Sequence, residues 1–285
     1  MIVTGPDAPS RGLVPTPDVR EAKAVTRRHA TTFALASRLL PRSIRGDVYL
    51  LYMVLRTLDD LVDERQPEAA ERVAAVTAWA QGRPHALTQE VELLDGLVHR
   101  HAIDRRSVAD FCSGMSRDLR GERLATEVDL DRYCYEVAGT VGIMMSALLG
   151  TDGSPEARTA AAALGMAMQR TNILRDLDED SGLGRVFVSQ EMVARYGWPS
   201  PGHRAAFVRD QIERADRLYD EGLAGVAHLH HGRRAVAAAG QMYREILRET
   251  ERRDGGELPG RAVVSGPRRL RVGLRAVCRP LRSVA

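Results

Sequence analysis

Asp59 and Asp63 stand four residues apart in Arg56-Thr57-Leu58-Asp59-Asp60-Leu61-Val62-Asp63-Glu64, a spacing that stacks both carboxylates on one face of a helix. Arg56 precedes them by one turn on the same side. Like charges so placed repel by roughly a few tenths of a kcal/mol on a bare helix, so the pattern calls for a cation between them. Alone, the motif fits a solvated acidic face equally well. A second stretch changes that balance: Gln169, Asn172, Arg175, Asp176, Glu179 and Asp180 fall within twelve residues, and Asn172, Asp176 and Asp180 form a strict four-residue series with Gln169 a turn above. Ile173, Leu174 and Leu177 flank this stripe, so it borders a core, where a carboxylate row without cations is costly. Magnesium suits such a site, because it takes one or two carboxylates and completes its shell with substrate phosphate oxygens. Two facing acidic helices would thus hold a diphosphate as a leaving group. Arg56, Arg175 and Arg185 can add charge-assisted hydrogen bonds to its oxygens. A Walker-type glycine loop is absent, which argues against nucleotide hydrolysis.

The elements that must position these residues are helices. Apolar residues recur at helical spacing, as in Leu50, Val54, Leu58, Leu61 and Val62, with no sustained two-residue alternation, so the fold class is all-α. Gly and Pro clusters at Gly82–Pro84, Gly150–Pro155, Ser181–Gly184, Gly197–Gly202 and Asp254–Gly260 punctuate the chain. Ser43 is the expected cap of a helix reaching about Glu64, and Asp104 of one reaching about Arg120. Further helices are expected over Glu127–Leu149, Pro155–Asp180, Gly202–His230 and Arg233–Arg253. Within the first of these, Gly139 and Gly142 each cost about 1 kcal/mol relative to Ala, which points to close approach by a neighbouring helix or a ligand.

At 285 residues with 44% hydrophobic content the chain can bury a large core. The net charge of +3, from 41 basic and 38 acidic side chains, gives no global field for nucleic acid. Lys23 is the only lysine. Cys112, Cys134 and Cys278 are too scattered for a zinc or redox motif and too few for a disulfide framework, which fits a cytoplasmic setting. The opening residues lack a signal-peptide pattern, and no uncharged apolar run reaches the roughly 18 residues needed to span a bilayer. Residues 1–17, with Pro6, Pro9, Pro15 and Pro17, are expected to be a disordered leader, and residues 18–285 one folded domain.

These motifs resemble those of the squalene and phytoene synthase family over about Thr26 to Val264. The resemblance rests on His29-Ala30-Thr31-Thr32-Phe33, Leu39-Leu40-Pro41, Tyr52 with the first Asp motif, Tyr133-Cys134-Tyr135, and Asn172-Ile173-Leu174-Arg175-Asp176 with Gly184-Arg185. Tyr243 and Arg261 fall near a C-terminal pair that the family places by substrate. It implies an isoprenoid synthase fold, a helical bundle around a central apolar cavity. Asp59, Asp63, Asp176 and Asp180 would ligate Mg²⁺; Thr32, Arg56 and Arg185 would contact phosphate; Tyr52, Tyr133, Val137, Asn172 and Tyr243 would line the cavity, near Gln169, Arg175 and Arg261. The implied reaction ionises one prenyl diphosphate to an allylic cation, which the double bond of a second attacks to give a cyclopropyl intermediate. With no dinucleotide fingerprint for a reductive step, a phytoene or dehydrosqualene product is expected rather than squalene.

Some positions depart from the family pattern. Ala30 stands for a frequent Ser, Arg170 for an apolar residue, Phe187 and Ser189 for Tyr and Pro, and Gly256-Glu257 interrupts an aromatic motif. These changes would weaken a second diphosphate site, so prenylation of an aromatic acceptor such as an indole or carbazole from a single donor is the alternative. A terpene cyclase and a non-catalytic helical binding scaffold are further alternatives. Met144, Met145 and Met168 are candidates for the cavity floor. His228, His230 and His231 suit a helix end better than a metal, and Trp79 and Trp198 read as packing residues. From Arg268 to Arg282 an apolar stripe of Leu270, Leu274, Val277 and Leu281 runs among arginines, so this helix either docks on the domain or makes peripheral contact with an anionic membrane.

Overall fold

In a computed structural model, the residues described are 19–29, 31–197, 202–253 and 260–278. The expected leader, Ala30, Trp198, Gly256-Glu257 and the end of the C-terminal run lie outside them. Helices carry the whole architecture: α1 (Val19–His29), α2 (Thr31–Ala36), α3 (Arg42–Asp63), α4 (Ala69–Ala80), α5 (Gln89–Arg100), α6 (Arg105–Arg120), α7 (Glu127–Cys134), α8 (Thr140–Leu149), α9 (Pro155–Gly182), α10 (Gln190–Tyr196), α11 (Arg204–Ala224), α12 (Arg233–Arg252) and α13 (Gly266–Cys278). Among the described residues the only extended pairing is an isolated bridge between Thr151 and Leu229.

Local chemistry sets most boundaries. Asp104 accepts from the Arg106 amide as expected, Thr126 and Asp129 form a reciprocal capping box, and Ser154 caps α9 with Pro155 as its first residue. Ser43 is not a cap: Pro41 holds that position before α3, and Ser43 lies within the first turn. The expected single helix over Glu127–Leu149 is α7 and α8 joined through a π-helical turn, Tyr135–Gly139. One widened turn changes the direction of side chains beyond it, which is why such turns gather at functional sites.

Leu51, Leu58, Leu94, Leu97, Val108 and Met144 fill one core between α3, α5, α6 and α8. Ala167, Phe207, Ile212, Tyr219 and Leu247 fill a second between α9, α11 and α12. A cavity of about 630 Å³ is lined from both. Its wall holds where α8 and the π-helical turn before it nearly touch α9: a Cβ on Gly142 would lie 2.1 Å from the Ala161 carbonyl oxygen, and one on Gly165 would lie 2.1 Å from that of Ala138. Any side chain at either position would push the helices apart, so these glycines are explained by packing at the cavity wall.

Candidate active site

Helices α3 and α9 bring the two acidic motifs to the rim of the cavity. Arg185, just beyond α9, ties them together: its Nη1 lies 3.4 Å from Asp63 Oδ1, its Nη2 donates to the Asp63 carbonyl at 2.9 Å, and its own amide donates to the Asp180 carbonyl at 2.8 Å. On α3, Arg56 pairs with Asp59 at 2.8 Å and also with Asp60. On α9, Arg175 Nε donates to Asp176 at 2.8 Å, and Arg261 reaches Asp176 at 3.3 Å and Glu179 at 3.1 Å.

The carboxylates nevertheless outnumber their cations. Asp59 is pushed up to about 6, by burial first and then by the charge of Asp63. Burial and Asp176 likewise push Asp180 up to about 6, and burial raises Asp63. An all-oxygen donor set under such strain fits a hard divalent cation. Among the described residues, no three acidic, His or Cys side chains converge closely enough to hold an ion alone.

Behind the rim the predicted residues divide clearly. Thr32, Tyr52, Arg56, Asp59, Tyr133, Val137, Gln169, Asn172, Arg175, Tyr243 and Arg261 line the cavity, whereas Asp63, Asp176, Asp180 and Arg185 sit at the rim outside its lining. Arg175 donates to the Tyr243 hydroxyl at 3.4 Å, Tyr243 donates to Asn172 Oδ1 at 2.8 Å, and Asn172 Nδ2 donates to Gln169 at 3.3 Å. This relay fixes one orientation for each polar group facing the ligand space. Tyr52 stacks on Phe33 with centroids 5.4 Å apart, and burial pushes its phenol up to about 12, keeping it neutral. Tyr133 stacks on Phe187 at 5.5 Å and donates to Asp118 at 3.1 Å. Met145 and Met168 belong to the cavity wall, while Met144 faces the first core.

Asp118, on α6, was not singled out from sequence. Burial pushes it up to about 7; the Tyr133 hydroxyl pulls it down, and Asp63 and Asp59 push it up further. Glu122, four residues on, lies beyond the end of α6 at Arg120, so no helical stripe marks Asp118, and only the long-range fold brings it beside the first motif.

Two departures from the family pattern prove to have other roles. Arg170 turns away from the cavity into a buried network with Glu127, Asp131 and Gln211, and Ser189 donates to Glu127 at 2.6 Å while capping α10. Neither lines the cavity. Phe187 does bear on it, through Tyr133. His228 lies 2.7 Å from Asp152, and Trp79 is buried with its Nε1 donating to Asp95 at 3.1 Å.

The family model described as squalene/phytoene synthase matches residues 26–269. A phytoene synthase of Thermus thermophilus is 39% identical, over 81% of this chain and 82% of its own length. A 15-cis-phytoene synthase of Synechococcus elongatus is 32% identical, over 93% and 94%. Among solved structures, a dehydrosqualene synthase in complex with ligand superposes with TM-score 0.81 at 26% identity, covering 91% of this chain and 95% of that one. The squalene synthase HpnC of Alicyclobacillus acidocaldarius gives 0.72 at 23%, covering 84% and 94%, a likeness of fold.

Proposed function

The chain belongs to the squalene/phytoene synthase family, and from that membership together with the site geometry we propose that it is a prenyltransferase condensing two prenyl diphosphates head to head, with a phytoene-type product. One observation carries the reading: two acidic helices meet at the rim of a single apolar cavity and are bridged there by Arg185.

In this reading Asp59, Asp63, Asp176 and Asp180 hold magnesium, which supplies charge neutralisation for a departing diphosphate. Arg56, Arg175, Arg185, Arg261 and Thr32 bind and orient the diphosphate oxygens, where paired guanidinium donors give direction as well as charge. The allylic C–O bond breaks, its electrons leave with diphosphate, and the double bond of the second substrate attacks the remaining cation. Loss of a proton closes the cyclopropyl intermediate, whose own C–O bond then breaks to release the second diphosphate, and loss of a further proton gives the hydrocarbon. Tyr52, Tyr133 and Tyr243 present aromatic groups to that cation, and the apolar wall at Val137 and Met145 keeps water from quenching it. The relay through Tyr243, Asn172 and Gln169 holds the polar side of the cavity in place.

The test is incubation of purified protein and Mg²⁺ with farnesyl or geranylgeranyl diphosphate alone, reading diphosphate release and product mass. The expected result is a C40 hydrocarbon from geranylgeranyl diphosphate without a second reactant. Product formed only when an indole or carbazole is added would replace head-to-head condensation by aromatic prenylation. Absence of diphosphate release with every donor would leave the helical scaffold reading.

A further inference from the structure

Asp178 interrupts the second acidic motif without joining it. It lies two residues from both Asp176 and Asp180, and at about 100° per residue that sets it roughly 200° round α9 from their shared face. Its partners are on that other side. Arg204, the first residue of α11, donates to both of its oxygens, at 2.8 Å and 3.0 Å, and the Gly260 amide donates to the second of them. A bidentate guanidinium and a backbone N–H on one half-buried carboxylate make a directional joint between three segments.

The third of these segments borders the site. Residues 260–265 approach α13 without forming a helix, and Arg261, Ala262, Val263 and Val264 line the cavity. Ala262 and Val264 are buried, while Arg261 reaches out to Asp176 at 3.3 Å and Glu179 at 3.1 Å. Those two pairs do not place the segment by themselves, because the Arg261 side chain is 45% exposed and exposed pairs hold weakly. The far end is fixed by α13: a Cβ on its Gly273 would lie 3.0 Å from the Met242 sulfur, so it sits tight on α12. The near end is fixed at Gly260 by Asp178, and at the Arg261 carbonyl, which accepts from Arg253 at 2.7 Å. Gly260 has φ +91°, a conformation open to glycine, and the chain turns there directly into Arg261.

We propose that Asp178 is a positioning residue: joined to Arg204 and Gly260, it fixes residues 260–264 at the cavity rim and so aims Arg261 at the diphosphate. A guanidinium held in place before the ligand arrives loses less freedom on binding it. The aim of Arg261 rests on the proposed condensation, whereas the joint itself does not.

Hydrogen exchange of the full chain without ligand, and calorimetric binding of inorganic diphosphate with Mg²⁺, test the two halves. Asp178→Ala should speed exchange of the amides of residues 260–264 about tenfold, with α9 and α12 still protected. It should also weaken binding of Mg²⁺ and diphosphate about tenfold, the loss of roughly one well-placed charged hydrogen bond. Arg261→Gln should weaken that binding as much, and the double variant should be no weaker than Arg261→Gln alone, because Asp178 acts through Arg261. Asp178→Asn keeps an acceptor for the Gly260 amide and should fall between the unaltered chain and Asp178→Ala in both readings. Unchanged exchange in Asp178→Ala overturns the joint, and losses that add in full in the double variant overturn the positioning role. An unaltered chain that binds no diphosphate would sink the condensation reading and the aim of Arg261 with it, while exchange still decides the joint.

Discussion

Gln169 and Arg170 are adjacent on α9, yet they belong to polar clusters of opposite design. Gln169 begins the stripe that continues through Asn172, Asp176 and Asp180 along the cavity and its rim. That cluster is incomplete: Asp59, Asp63 and Asp180 are all raised by burial first and then by neighbouring carboxylates, despite Arg185 nearby. Arg170 opens the opposite cluster, whose groups are matched. Its guanidinium is buried and donates to Gln211 at 2.7 Å, Asp131 at 2.6 Å and Glu127 at 3.3 Å, and Glu127 also accepts from Ser189 and Gln211. A polar group buried for structure is given its partners within the chain, whereas one kept for a ligand is left short of them.

The largest effects should separate the two clusters by sign. Asp59→Asn or Asp176→Asn should lower diphosphate release by on the order of 10²–10³ or more, while circular dichroism shows the helices intact. Asp59→Asn should in addition raise the thermal midpoint of the metal-free protein at neutral pH, because it removes a carboxylate that the fold disfavours in its charged form. Near-normal turnover in both variants would remove the two-helix metal site.

Arg170→Met should do the reverse. Removing the cation leaves Glu127 buried with an uncompensated charge, an effect of about 3–5 kcal/mol on stability. Turnover per folded molecule should remain within a few-fold, since Arg170 does not line the cavity. A specific loss of kcat without loss of midpoint would place Arg170 in the chemistry and erase the contrast.

The same neighbours measure how far the sequence could be read. The stripe Gln169, Asn172, Asp176, Asp180 was visible because an α-helix returns every three to four residues, and the helix class followed from the same periodicity. Arg170, as a departure from the family pattern, points to the acceptor side in the sequence, whereas in the structure it lies in the buried network away from the cavity. Its partners were not legible, because Glu127 and Asp131 are about forty residues away and nothing local pairs them. The π-turn at Tyr135–Gly139 escaped for a related reason, since the pattern continues across it and only backbone hydrogen bonding marks the change. At Ser43 a good capping residue yields to Pro41, whose fixed φ suits the start of α3.

Asp118 offers the smallest test and the finest one, because it lies between the two designs. It accepts from the Tyr133 hydroxyl at 3.1 Å, and it faces the charges of Asp63 and Asp59. Its carboxyl stands at about 7 against an ordinary 3.8, so the folded state prefers the protonated form. The stability this contributes is therefore present at low pH and is lost as pH rises through about 7. Between pH 6 and pH 8 the metal-free protein should lose roughly 1 kcal/mol from this group. Asp118→Asn mimics the neutral acid and still offers Tyr133 an acceptor, so it should flatten that slope and leave the variant the more stable of the two at pH 8. Denaturant midpoints at both pH values would decide it. An unchanged slope in the variant would mean that Asp118 is already satisfied as a carboxylate, like Glu127, and belongs with the structural cluster.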